Sequence, residues 1–223
     1  MTHVYKDFRR PDASLVEAFR EQDVATVYEA SGRKGFVDSA IKPAWRGARI
    51  CGPAYTVQCA PGDNLMLHKA LQRAPAGAVL VASVGGEYDF GYWGGLMATA
   101  AMTRGLAGLA IDGCVRDSEE IAKMGFPIFC RGLCIRGTGK STLGLINHPV
   151  NFGRFTVFPG DLVLGDEDGM VVVRFEDCAE VLEKSRKRVS FEEGKAAQLK
   201  GGMSSVELNG LDKVFETLGL VEE

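Results

Sequence analysis

GGLMATAAMTRGLAGLAIDGCVRD, residues 94–117, decides the fold class of this chain. It reads as a Gly-Gly turn, a short helix of small residues, a buried strand, and a second turn carrying the charged pair Arg116-Asp117. Backbone N–H groups at the start of a helix attract anions. Arginine offers a planar fork to an oxyanion. Aspartate offers a hard oxygen to a divalent cation. A charged pair just past a buried strand also lies where α/β folds place their ligands. These features point to a small carboxylate held beside a metal ion, and so to an enzyme. The same letters also fit a surface ion pair with Asp117 as a helix N-cap.

Outward from this stretch, helices and strands alternate. Residues 12–31 carry Leu15, Phe19, Val24, Val27 and Tyr28 at helical spacing, closed by Gly32. Residues 48–60 read as strand, interrupted at Gly52-Pro53. The turn 61–64, PGDN, supplies an N-cap for a helix over LMLHKALQR, residues 65–73. Strand 78–84, a glycine- and aromatic-rich loop 85–95, helix 96–104 and strand 107–112 follow. Next come a helix at 118–124, a strand at 127–130 and a loop over 131–144. FTVF (155–158) and MVVV (170–173) are strand signals, separated by the Pro159-Gly160-Asp161 turn and an acidic turn at 166–169. A charged helix covers 176–200, Gly201-Gly202 breaks it, and a last helix ends near 218. The pattern predicts one α/β domain over 1–223 with a mixed sheet. Its helical C-terminal segment, 176–223, is long and polar enough to lie on the outside or reach a neighbouring subunit.

Composition narrows the function classes. The 223 residues are 46% hydrophobic and 25% charged, with a net charge of −3. That is an ordinary globular balance with no basic excess for nucleic acid. No run of 18 apolar residues marks a membrane span and no apolar signal core opens the chain, so a cytoplasmic protein is expected. The six cysteines form no C-x-x-C pair and sit mostly in apolar runs, which reads as reduced thiols.

Four further features bear on chemistry. Gly94-Gly95 lets a ligand approach the backbone, and the Leu96 and Met97 amides follow at the helix start. His68 lies on the helix after Asp63, and Glu87 and Asp89 lie in the glycine-rich loop where they could face a cation or simply solvent. Arg136-Gly137-Thr138-Gly139-Lys140-Ser141 imitates the end of a phosphate-binding loop, but Cys134 stands where that pattern needs glycine, so nucleotide binding is not expected.

These residues carry a resemblance over nearly the whole chain. ATVYEASGRKG (25–35), PGDNLMLHKAL (61–71), GYWGGLMATAAMTRG (91–105), GLAIDGCVRD (108–117), RGTGKSTLG (136–144) and PGDLVLGDEDGMVVV (159–173) resemble the class II pyruvate aldolases. That family acts on 4-hydroxy-4-methyl-2-oxoglutarate and 4-carboxy-4-hydroxy-2-oxoadipate, and it also contains the regulator of ribonuclease activity A. The C-terminal SFEEGKAAQL (190–199) and the retained Arg-Asp pair favour the aldolase branch.

The resemblance implies a mixed α/β sandwich with a swivelling β/β/α topology and C-terminal helices. It implies a lyase that uses Mg²⁺ or Mn²⁺ on a small 2-oxo acid, with oxaloacetate decarboxylation through a shared pyruvate enolate. Arg116 matches the residue that contacts the pyruvyl oxygen, Asp117 the metal ligand, and His68 a histidine near the site. Gly94, Gly95, Leu96 and Met97 match the segment that holds the pyruvate carboxylate. Glu192, or Glu193 beside it, matches a glutamate that joins an adjacent subunit's site in trimers or hexamers. A non-catalytic regulator or binding protein of the ribonuclease-regulator type is the alternative. One departure stands out: the family places an acid with twenty residues between it and the Arg-Asp pair, and this chain has Gly95 there.

Overall fold

The computed structural model describes residues 3–222. Its strands are β1 (Lys42–Pro43), β2 (Ile50–Gln58), β3 (Val79–Ser83), β4 (Gly108–Asp112), β5 (Cys114–Val115) and β6 (Ile128–Cys130). They continue as β7 (Gly132–Leu133), β8 (Leu145–Ile146), β9 (Val150–Phe152), β10 (Phe155–Val157), β11 (Leu162–Gly165) and β12 (Met170–Val173). The helices are α1 (Ala13–Arg20), α2 (Val24–Ala30), α3 (Leu65–Arg73), α4 (Gly95–Thr103), α5 (Ser118–Met124), α6 (Cys178–Lys200), α7 (Ser205–Asn209) and α8 (Asp212–Leu218).

An eight-stranded mixed sheet runs β1-β6-β4-β3-β2-β11-β12, and β8 also pairs with β2. The β2-β3-β4-β6 centre is parallel, while β1, β8, β11 and β12 pair antiparallel with their neighbours. Strand alternation sorts side chains into layers. Leu80 and Ala82 of β3, Leu109 and Ile111 of β4, and Ile128 of β6 face the layer packed by α3, α4 and α5. Val79, Val81, Ala110 and Phe129 point the other way, into a core shared with Val163, Met170 and Val172 of β11 and β12 and with the β9–β10 hairpin. Leu162, Leu164, Val171 and Val173 turn instead to a third cluster under α1, α2 and α6. One cluster thus runs along a whole face of the sheet, which curls around it, while helices divide the other face.

The mixed α/β architecture with C-terminal helices is the one expected, and several element boundaries move. The helix expected over 12–31 is two helices, separated at residues 21–23, where the Asp23 carbonyl starts the second by accepting from Val27 N–H at 3.0 Å. The strand expected to break at Gly52-Pro53 runs through without a break. Pro53 sits one residue before the parallel ladder to β3 begins at Ala54, so its missing N–H removes no rung there. Strand β11 lies directly behind the Pro159-Gly160-Asp161 turn, which masks it in the sequence. In α6, the buried residues Cys178, Val181, Leu182 and Ser185 mark one docked stripe. Among the described residues none after Ser185 is buried, although Phe191, Leu199, Phe215 and Leu218 are apolar.

Candidate active site

The parallel crossovers β2–α3–β3, β3–α4–β4 and β4–α5–β6 bring the N-termini of three helices to the carboxyl edge of the sheet, the usual ligand side of such folds. Arg116 and Asp117 follow β5 there. The Arg116 N–H donates to the Trp93 carbonyl at 2.9 Å, which ties this turn to the entry of α4. Asp117 holds a left-handed backbone, φ 59°, a conformation Asp tolerates better than most residues. Its carbonyl accepts from the Ile121 N–H at 3.0 Å, starting α5, and its Oδ2 accepts from the Gly95 N–H at 3.0 Å, capping α4. The Arg116 Nε lies 3.8 Å from the same Oδ2. Both side chains stay close to half exposed, at 47% and 43%. Among the described residues no hydrogen bond falls on Asp117 Oδ1.

A cavity of about 360 Å³ opens over this corner, lined by Asn64, His68, Gly91, Tyr92, Gly94, Leu96, Met97, Arg116, Asp117, Gly137, Thr138 and Lys140. Within α4, the Met97 N–H donates to the Gly94 carbonyl at 3.0 Å, whereas the Leu96 N–H finds no acceptor among the described residues. The Leu96 amide is therefore the open donor of this helix start. Asn64 is buried; its Nδ2 donates to the Tyr92 carbonyl at 2.9 Å, while its Oδ1 has no partner. A buried acceptor left unpaired on a cavity wall calls for a donor from outside the chain. Burial, and then the charge of Lys140, push the His68 imidazole below its usual value, which favours its neutral form.

The structure gathers Gly94, Leu96, Met97, Arg116, Asp117 and His68 around one cavity, with Gly95 buried beside it. Glu192 lies on α6, paired with Arg188 at 2.8 Å, and does not line the cavity of its own chain. Glu87 and Asp89 do not line it either, and the Glu87 carbonyl accepts from the Tyr92 hydroxyl at 2.6 Å. Sequence reading misses Asn64, Thr138 and Lys140 as wall residues. Asn64 is visible there only as part of a turn, and the other two only as part of the phosphate-loop look-alike.

That look-alike has a different use. Asp63 Oδ2 accepts from the Ser141 N–H at 2.6 Å and the Thr142 N–H at 3.1 Å, and Oδ1 from the Leu65 N–H at 2.8 Å. Burial raises the Asp63 carboxyl, but these amides and the Ser141 hydroxyl outweigh it and hold the group below its ordinary value. The Gly139 N–H donates to the Gly62 carbonyl at 2.8 Å. Three amides of this turn, those of Gly139, Ser141 and Thr142, are thus spent on the chain itself.

The donor set decides which cation fits. Among the described residues no three His, Cys, Asp or Glu side chains gather into a cage. A cation at this corner would rest on Asp117 and otherwise on water, which suits Mg²⁺ or Mn²⁺ better than Zn²⁺.

Fold and corner together define an α/β protein with an arginine–aspartate pair and an open helix-start N–H at the carboxyl edge of a parallel sheet core. The family model described as "RraA-like: Aldolase/RraA" matches residues 14–172, and the chain belongs to this family. A relative from Halalkalibacterium halodurans, named "Putative 4-hydroxy-4-methyl-2-oxoglutarate aldolase", is 32% identical over 195 residues, covering 87% of this chain and 93% of its own. The crystal structure of an uncharacterized protein from Pseudomonas syringae pv. tomato superposes with a TM-score of 0.82 at 27% identity, covering 91% of this chain and 96% of the other. Streptomyces coelicolor RraAS2, described as an unusual member of the RNase ES inhibitor RraA protein family, superposes with a TM-score of 0.76 at 28% identity, covering 85% and 99%. No helix among the described residues is long and apolar enough to cross a membrane.

Proposed function

We propose that this chain is a divalent-metal-dependent carbon–carbon lyase acting on small 2-oxo acids that carry a pyruvyl unit. The observation that carries the reading is the Arg116–Asp117 corner, a guanidinium and a half-free carboxylate held against the open Leu96 amide. When bound, Mg²⁺ or Mn²⁺ at Asp117 supplies Lewis-acid polarisation of the 2-oxo group. The Leu96 N–H and the α4 N-terminus hold the substrate carboxylate. Arg116 donates to the 2-oxo oxygen, which gains negative charge as the C3–C4 bond breaks and its electron pair moves into the C2–C3 bond. In a retro-aldol cleavage the 4-hydroxyl proton leaves as the second product becomes a carbonyl compound, and neutral His68 is the available acceptor. In oxaloacetate, CO₂ leaves from the same position. Both routes release a pyruvate enolate, which takes a proton at C3.

The same reading extends to assembly. A symmetric trimer or hexamer would let Glu192 or Glu193 of one copy reach a neighbour's site, and it would cover the apolar residues that α6–α8 leave exposed. The likeness to Streptomyces coelicolor RraAS2, a member of an RNase ES inhibitor family, supports a second reading, a non-catalytic ribonuclease regulator. A panel of 2-oxo acids incubated with the full chain and Mg²⁺ tests the choice. Pyruvate release that EDTA abolishes is expected. No turnover on any member, with a purified ribonuclease inhibited instead, would overturn the lyase reading.

A further inference from the structure

Two successive glycines at the start of α4 do different jobs. A Cβ on Gly94 would collide with Asp117 Oδ2 and come within 3.3 Å of Arg116 Nε. A Cβ on Gly95 would collide with Glu120 Oε2 and lie 2.7 Å from its Cδ and 3.1 Å from its Oε1. The bare backbone at 94 and 95 is therefore a shelf on which two carboxylates rest, Asp117 over the first position and Glu120 over the second. Asp117 comes from the turn before α5 and Glu120 from the first turn of α5, three residues on.

Glu120 differs from its neighbour. Glu119 on the same turn is paired with Lys123 at 2.7 Å. Glu120 has neither an ion pair nor a hydrogen bond among the described residues. Its carboxylate lies against the α4 backbone instead, next to the Gly95 amide that Asp117 already caps. Glu120 is exposed and unpaired, so its carboxylate is available to a cation or its waters beside Asp117. The unpaired, buried Oδ1 of Asn64, on the cavity wall that it shares with Asp117 and that Glu120 does not line, is an independent sign that a ligand with donors, such as an ordered water, belongs at this corner.

The geometry points to Glu120 as the second carboxylate of the cation site, accepting hydrogen bonds from waters of a cation held by Asp117 and so fixing that water shell. This inference rests on the cation reading above. Groups that orient a metal's ligands and waters without touching the ion commonly change its affinity by about 10- to 100-fold. Glycine at 95 then makes room for the Glu120 carboxylate, which any side chain there would push off its shelf, whatever its helix propensity.

The test is Mn²⁺ titration of the full chain, followed by electron paramagnetic resonance of free Mn²⁺ and by calorimetry, with folding checked by circular dichroism. Glu120→Gln should weaken Mn²⁺ about tenfold or more. Glu119→Gln, which removes the same charge from the same helix turn, should change it less than about twofold. Gly95→Ala keeps the Glu120 charge and favours the helix, yet should weaken Mn²⁺ as Glu120→Gln does, because its methyl displaces the carboxylate. Wild-type affinity in both Glu120→Gln and Gly95→Ala would overturn the role of Glu120 and leave the cation reading standing. Equal losses in Glu119→Gln and Glu120→Gln would overturn it too, since a general helix-dipole or charge effect would then suffice. A wild-type chain that binds no Mn²⁺ would overturn the cation reading itself.

Discussion

Two glycine-bearing turns line the same cavity, and they have opposite characters. In the 94–97 turn the Leu96 N–H is open and Asp117 keeps one oxygen free. In the 136–142 turn the amides of Gly139, Ser141 and Thr142 are bonded within the chain, while those of Gly137, Thr138 and Lys140 have no acceptor among the described residues. By letters, RGTGKS looks more like a ligand loop than GGLM does. The difference lies in the carboxylate beside each turn: both oxygens of Asp63 are taken by backbone N–H groups, whereas Asp117 keeps Oδ1 free. The 136–142 turn is wall, fastened by Asp63, and the 94–97 turn is floor.

The sharpest way to break this contrast is to disable the floor. Arg116→Ala should lower kcat for pyruvate release by about 100-fold or more, because the guanidinium acts on charge that develops in the transition state. Asp117→Asn should do the same while keeping an acceptor for the Gly95 N–H, so that α4 stays capped. Steady-state kinetics on folded variants reads both, and near-wild-type turnover in either would remove that residue from the site.

Disabling the fastening of the wall should cost stability. Asp63→Ala leaves three amides without their acceptor and should destabilise the fold by about 3 kcal/mol, read by urea unfolding. The pH dependence has a definite sign. The folded Asp63 pKa lies below the unfolded one, so its contribution is present above about pH 4 and fades as pH falls through the folded value. The stability gap between wild type and variant should hold from about pH 7 to 5 and narrow only below about pH 4.

A smaller effect separates the floor's two carboxylates. Gly95→Asp brings a new acid but displaces Glu120, so Mn²⁺ affinity should move less than about threefold in the wild-type background, well inside the range that outer-sphere groups span. In a Glu120→Ala background the same substitution should restore most of the lost affinity. Failure to restore it in a folded double variant would show that position 95 cannot serve the cation. The smallest expected effect is on His68. Lys140→Met removes the lesser of the two causes that depress its pKa, so the value should rise while burial still holds it below 6.5, as followed by NMR titration. No rise would mean that Lys140 does not act on the cavity.

Much of the fold and site is legible in the chain because it is written in local patterns. The run 94–117 reads as turn, helix, strand and charged turn in the right order, and the structure places Gly94, Leu96, Met97, Arg116, Asp117 and His68 on one cavity. What stays hidden depends on contacts between distant residues. Asn64 reads as a cap because its bond to the Tyr92 carbonyl, 28 residues away, is not a sequence signal. Glu120 reads as an ordinary acid in the first turn of a helix, because only the approach of α5 to α4 sets it against Gly95. The loop acids Glu87 and Asp89 are the nearer candidates in sequence, yet the acid set against Gly95 is Glu120. Gly95 is legible as a departure from the family pattern, but the acid that meets it comes from across the turn.

Lyase chemistry at the Arg116–Asp117 corner is measured directly as pyruvate formation from oxaloacetate by the purified full chain with Mg²⁺, beside Arg116→Ala and an EDTA-treated control. The account predicts pyruvate well above the metal-only background for wild type, and background levels for the other two. Pyruvate at background in all three, or equal turnover in wild type and Arg116→Ala, would contradict it.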